Sequence, residues 1–170
     1  MSEMAATATR ATVHGLERVT SGTGWRARLF PPSTNGGYAG SMASAYILTV
    51  FGVLSIIPGS IHTFAPDGGA GTIAGIDLTH NGGVIVALFA WAGATQIALG
   101  VISLIVSLRY RTLVPLMLAA AVLERALHAL NFWFLKSGGT GHHPPEHYGV
   151  LVGLPILILA FAASVRERSG

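Results

Sequence analysis

Four long apolar runs, at residues 43–64, 83–108, 113–135 and 148–165, constrain this chain more than any other feature. A helix needs about 20 residues, within a range of about 17–25, to cross a hydrocarbon core, and each run is long enough. Inside lipid every backbone N–H and C=O must be satisfied within the protein, which leaves helices or closed barrels. The runs lack strand alternation, so helices are expected. The predicted fold is therefore all-α: a polytopic membrane protein built as a four-transmembrane-helix bundle. Residues 1–42 read as a flexible N-terminal tail and 166–170 as a short C-terminal one. Composition agrees, with 51% hydrophobic and 10% charged residues, against about 25% charged in an ordinary soluble domain. The chain has no cysteine, which removes thiolate metal sites, iron–sulfur clusters and cysteine nucleophiles.

The net charge of +3 suggests nucleic acid only until the charges are located. Arg10, Arg18, Arg26 and Arg28 precede the first run, Arg109 and Arg111 join the second to the third, and Arg166 and Arg168 follow the fourth. That is a topology signal rather than a basic face for phosphates. An even number of crossings puts all three segments on one side, and the opposite side carries Lys136 alone. The positive-inside rule makes the arginine side cytoplasmic. The expected location is a bacterial inner membrane with both termini inside, and the expected partner is the lipid bilayer. Ala94-xxx-Ala98 and Gly149-xxx-Gly153 have the small-xxx-small spacing that lets helices approach closely.

Polar chemistry collects at the other end. His62 closes the first run, His80 immediately precedes the second, and His128 lies in the outer half of the third. His142, His143 and His147 fall in the connection to the fourth. At about 100° per residue, Glu124, His128 and Asn131 share one narrow helix face with Arg125 at its edge. Val122, Ala126, Ala129 and Trp133 then form the opposite side, expected to face lipid. An ionisable group at the centre of a transmembrane helix costs about 2.5–3.5 kcal/mol on insertion scales, and such residues mark function by default. The plainer reading is a polar lock, in which Glu124 and Arg125 hold helices together. Residues at i and i+1 do not face one another, so each is expected to pair with another span. Gln96 and Asn131 complete the candidate buried polar set, with Thr95, Ser55, Ser60, His62 and Thr63 as further partners.

Imidazole and carboxylate are the usual nitrogen and oxygen ligands of transition metals, and histidine also holds haem. The sharper expectation is that His62, His80, Glu124 and His128 line an outward-opening pocket taking a transition metal, or a haem held by His62 and His128. Glu-x-x-x-His matches neither the di-iron carboxylate nor the zinc-protease pattern. Gly68–Gly75 (GGAGTIAG) lacks the Lys-Ser/Thr of a phosphate loop and reads as flexible. Three functions follow. The first is a binding or accessory subunit of a larger membrane complex, with a polar His/Glu pocket open to the outer face. The second is a metal- or haem-dependent membrane enzyme or redox protein. The third is a small homo-oligomeric transporter or proton conductor using Glu124 and His128.

Overall fold

The computed structural model describes residues 24–136 and 143–166. Every regular element among them is helical. The chain divides into two compact units, up to Ser33 and from Thr34 onward. The first contains α1 (Trp25–Leu29), where Trp25 and Leu29 are exposed and the Arg26 guanidinium sits 5.5 Å from the Trp25 ring centroid. The second contains α2 (Met42–Phe64), α3 (Gly82–Arg109), α4 (Val114–Leu130) and α5 (Pro145–Ser164). A 3-10 turn at Arg111–Leu113 leads into α4, and a π-helical turn at Asn131–Leu135 extends it. Four segments are long and apolar enough to span a bilayer. The protein is an integral, multi-pass membrane protein with an all-helical bundle, as the apolar runs predict.

The helices pack chiefly as two pairs, α2 with α3 and α4 with α5, and α2 also touches α4 and α5. Four glycines draw the first pair together. A Cβ on Gly52 would lie 2.9 Å from the Gly100 carbonyl oxygen, and one on Gly93 would lie 2.6 Å from that of Gly59. The backbones thus touch at two places one heptad apart on each helix, where only hydrogen fits. The expected small-residue pairs do not serve this purpose. Ala94 and Ala98 are exposed, and a Cβ on Gly153 would meet nothing within 4 Å.

The core lies toward the arginine end. Ala45, Leu48 and Phe51 of α2 meet Val106 of α3, Val114, Leu118 and Ala121 of α4, and Leu157 and Ala160 of α5. Hydroxyls bridge helices beside it. Ser44 Oγ donates to the Ala160 carbonyl at 2.8 Å, and Thr49 Oγ1 to Ser107 Oγ at 2.9 Å. Residues 34–41, within the stretch read as a tail, are tied to this end. Asn35 Nδ2 donates to the Leu108 carbonyl, Asn35 Oδ1 accepts from the Arg111 amide, and the Thr34 amide donates to the Arg109 carbonyl. The Asn35 amide thereby satisfies backbone groups around the end of α3 that the helix itself leaves open.

Two sequence expectations change. The fourth span begins at Pro145 rather than 148, because proline is preorganised for the first helical position. Glu146 and His147 therefore stand on a helix. The orientation of α4 also differs. Its buried stripe is Val114, Leu118 and Ala121, and Arg125 continues that stripe with its side chain 13% exposed. The lipid-facing side is Leu116, Leu123, Leu127 and Leu130, all exposed, while Val122, Ala126, Ala129 and Trp133 are half-buried. Arg125, expected at the edge of the polar face, lies on the inward side because its guanidinium reaches α5.

Candidate functional site: a cavity and an ion cluster at one end of the bundle

Where α2 and α4 end and α3 and α5 begin, the helices border a half-open cavity of about 700 Å³. Its walls are mostly apolar. Pro58 and Ile61 come from α2, Leu88, Phe89 and Ala92 from α3, and Phe132 from the π turn. The polar side chains on it are His62, Gln96, His128, Glu146 and His147. Pro58 lacks the N–H that would complete the helix ladder, and it places its ring on the cavity wall.

Residues 65–81 close over this end, contributing Gly69, Ile73, Ala74 and Ile76 to the walls. This segment, read from its glycines as flexible, is organised around Asp67. The Asp67 carboxylate accepts from the amides of Gly69 (2.8 Å), Gly71 (3.1 Å) and Thr72 (2.8 Å). Gly68 and Gly69 adopt φ of 61° and 75°, a region that costs glycine least. The Thr72 and Gly69 amides hold the Asp67 carboxyl below its ordinary pKa. A phosphate loop leaves such amides for its ligand; here the chain's own carboxylate takes them.

His62 and His128 reach the same cavity from different helices. His62 Nδ1 lies 2.7 Å from the Gly68 carbonyl oxygen. A carbonyl can only accept, so Nδ1 carries the proton and the neutral ring has its lone pair on Nε2. The ring also meets Phe89 edge-on, with centroids 5.1 Å apart. His128 Nδ1 stands 3.2 Å from Glu124 Oε1, one turn back on the same helix. Its ring stacks on Phe132 at 5.4 Å, and Phe132 stacks on His147 at 4.1 Å. Beside this ladder Trp133 stacks on His143 at 4.6 Å, and the Nδ1 atoms of His143 and His147 are 3.0 Å apart.

Behind His128 lies the ion cluster. Arg125 Nη1 donates to Glu146 Oε1 of α5, and Arg125 Nε lies 3.0 Å from Glu124 Oε2. The guanidinium also sits over Phe51, 5.4 Å from the ring centroid. Glu124 is the less well served acid. Its Oε2 is buried and lacks an aligned hydrogen bond despite the short distance to Arg125, and so does His128 Nδ1 facing its other oxygen. Arg125 thus pairs with another span, as expected, but through Glu146 rather than any of the candidate partners. Glu124 instead faces its own helix neighbours. Charged side chains bend toward one another even at i and i+1 when the interior offers nothing better.

The remaining candidates are scattered. Asn131 Nδ2 donates to the Leu127 carbonyl at 2.8 Å, which satisfies it within its own helix. Gln96 is on the cavity wall, and its Oε1 is buried without a hydrogen-bond partner. His80 lies in an exposed stretch, its Nδ1 3.1 Å from Thr79 Oγ1, and does not line the cavity. His142 lies outside the described residues. Among the described residues no three His, Cys, Asp or Glu side chains are grouped to hold a metal ion. Sequence reading passed over Phe132 and treated Glu146 and His147 as loop; the Pro144–Pro145 pair was the signal that a helix begins there. Comparison with family models, with curated proteins and with solved structures finds no match for this chain.

Proposed function

We propose that this protein is a membrane-embedded binding protein, acting alone or as an accessory subunit of a larger membrane complex. Its ligand is a small, mostly apolar molecule held in the cavity at the end of the bundle opposite the arginines. The carrying observation is the cavity itself: about 700 Å³, apolar over most of its wall, with His62 and His128 brought to it from two helices. That is the size and character of a small-molecule site, a few polar groups in an apolar chamber. The arginines flanking the spans support a bacterial inner membrane with both termini cytoplasmic; on that reading the cavity belongs to the outer leaflet.

A second reading, a redox protein or enzyme using haem, draws on one further observation. His62 directs Nδ1 to a backbone carbonyl and His128 directs it toward a carboxylate, and imidazoles that ligate metals are commonly held this way. A porphyrin asks the protein for one or two axial ligands rather than three. The transporter reading draws on Glu124 and His128, which stand together beside the cavity.

The test is to purify the full chain in native-lipid discs and extract it for mass spectrometry, beside Ala92→Trp, which fills the wall. A molecule enriched in the wild type and lost from Ala92→Trp supports the binding reading. Identical extracts, with no saturable binding from added compounds, overturn it. A Soret band lost in both His62→Ala and His128→Ala decides for haem.

A further inference from the structure

The charges around the cavity do not balance. Glu124 and Glu146 are two carboxylates served by one guanidinium, that of Arg125, whose hydrogen bond goes to Glu146. Glu146 also lies in the first turn of α5, where the helix dipole favours an anion. Glu124 has no such help, and its Oε2 is buried without a hydrogen bond. The formal charges of Glu124, Glu146 and Arg125 leave one negative charge in excess. Lys136, the other described cation near this end, is exposed and therefore screened by solvent. The Glu124 side chain is 26% exposed and that of Glu146 42%, so the excess charge is partly open to its surroundings, and a cation placed beside it is favoured.

The cavity is placed to hold one. Between Glu124 and its open space stands His128, with Nδ1 facing the carboxylate and Nε2 the remaining nitrogen. His62 likewise spends Nδ1 on the Gly68 carbonyl, which leaves Nε2 as an acceptor. The polar edge of the cavity therefore offers the His62 Nε2 as an acceptor, and the Glu146 carboxylate of the ion cluster stands on the same wall. The apolar remainder demands an apolar body on the ligand.

We propose that the cavity binds a protonated amine with a compact apolar body, its N–H groups donating to Nε2 of His62 and His128 and its charge balancing the surplus on Glu124. This rests on reading the cavity as a binding site. Glu124 acts through His128 and is a positioning residue.

Three rigid probes of one shape separate the terms: 1-adamantylamine, 1-adamantanol and 1-adamantanecarboxylate. Each is titrated calorimetrically into the full chain in phosphatidylcholine discs, with empty discs subtracted. The amine should bind saturably and at least about tenfold more tightly than the alcohol, a difference of about 1.4 kcal/mol, and the carboxylate should not bind. Glu124→Gln should reduce the amine to the alcohol's level and leave the alcohol unchanged. Equal binding of amine and alcohol, or an amine preference untouched by Glu124→Gln, overturns the ligand class while leaving a binding cavity. Saturable binding by none of the three overturns the binding reading as well. If Glu124→Gln does not fold, the three probes on the wild type decide: an amine bound no more tightly than the alcohol overturns the proposal.

Discussion

Arg125 shows how one buried charge can set the orientation of a helix. Helical periodicity alone put Glu124, His128 and Asn131 at the centre of the polar face and Arg125 at its margin. Arg125 instead continues the buried stripe of α4, because its partner is Glu146 on α5. That partner was hidden by an element boundary: read as loop, Glu146 had no fixed position from which to reach into the bundle. Breaking a fully buried pair by removing one partner typically costs about 3–5 kcal/mol; with the Arg125 side chain 13% exposed and that of Glu146 42%, a smaller but clear loss is expected. Arg125→Ala should therefore lower the midpoint of thermal unfolding in detergent by several degrees. Leu123→Ala, on the lipid-facing side at 62% exposure, should change it little. Equal shifts would return Arg125 to the edge of the face. Asp67 makes a second residue-scale case, one outside the spans. Its folded pKa is lowered by the Thr72 and Gly69 amides, so its contribution is complete above the ordinary value of 3.8 and is lost as pH falls through the depressed one. Hydrogen exchange of the Gly69, Gly71 and Thr72 amides should lose protection only in that acid range. In Asp67→Asn protection should already be weakened at neutral pH, and exchange identical to wild type there would remove the carboxylate from the loop's architecture.

At the scale of elements, the existence and approximate bounds of the four spans were legible, because lipid forces long uncharged runs to satisfy their own backbones. Which surfaces meet was not. Gly52 and Gly59 are seven apart, as are Gly93 and Gly100, and neither spacing stands out among 22 glycines. Their meaning appears only when α2 and α3 lie side by side. The more familiar spacing of Gly149 and Gly153 lies along a shallow groove between α2 and α5 and closes no backbone contact. The two classes should respond oppositely to an added methyl. Gly93→Ala would place its Cβ 2.6 Å from the Gly59 carbonyl oxygen, so the helices must separate; a loss of about 1–3 kcal/mol is expected, as for other overpacked sites. Gly153→Ala meets open space and replaces a poor helix former with the best one, a gain of up to about 1 kcal/mol. Chemical denaturation in mixed micelles reads both, and a Gly93→Ala variant as stable as Gly153→Ala would mean that α2 and α3 are not in backbone contact.

For the whole molecule, the bundle is divided into a packed end and a hollow end. The core residues, the bridging serines and the Asn35 contacts lie toward Arg109, Arg111 and Arg166. The cavity, the imidazoles and the Asp67 loop lie at the other. That His62, His128, His143 and His147 gather at one end was legible from crossing number alone. That His62 and His128 share a cavity while His80 does not depended on side-chain directions a sequence leaves open. The functional weight of this polarity rests on which side of the membrane each end faces. Arginine segments resist translocation, so the packed end should be cytoplasmic and the hollow end accessible from outside. The chain has no native cysteine, and two single substitutions report the two ends. His80→Cys lies in the exposed stretch before α3, and Gly36→Cys lies at the arginine end, where an added Cβ meets nothing within 4 Å. A membrane-impermeant maleimide applied to intact cells should label His80→Cys, and should label Gly36→Cys only after permeabilisation. The reverse pattern would turn the protein over and open the cavity toward the cytoplasmic leaflet. Its amine would then have to arrive from inside the cell, which makes this labelling the measurement that fixes where the ligand comes from.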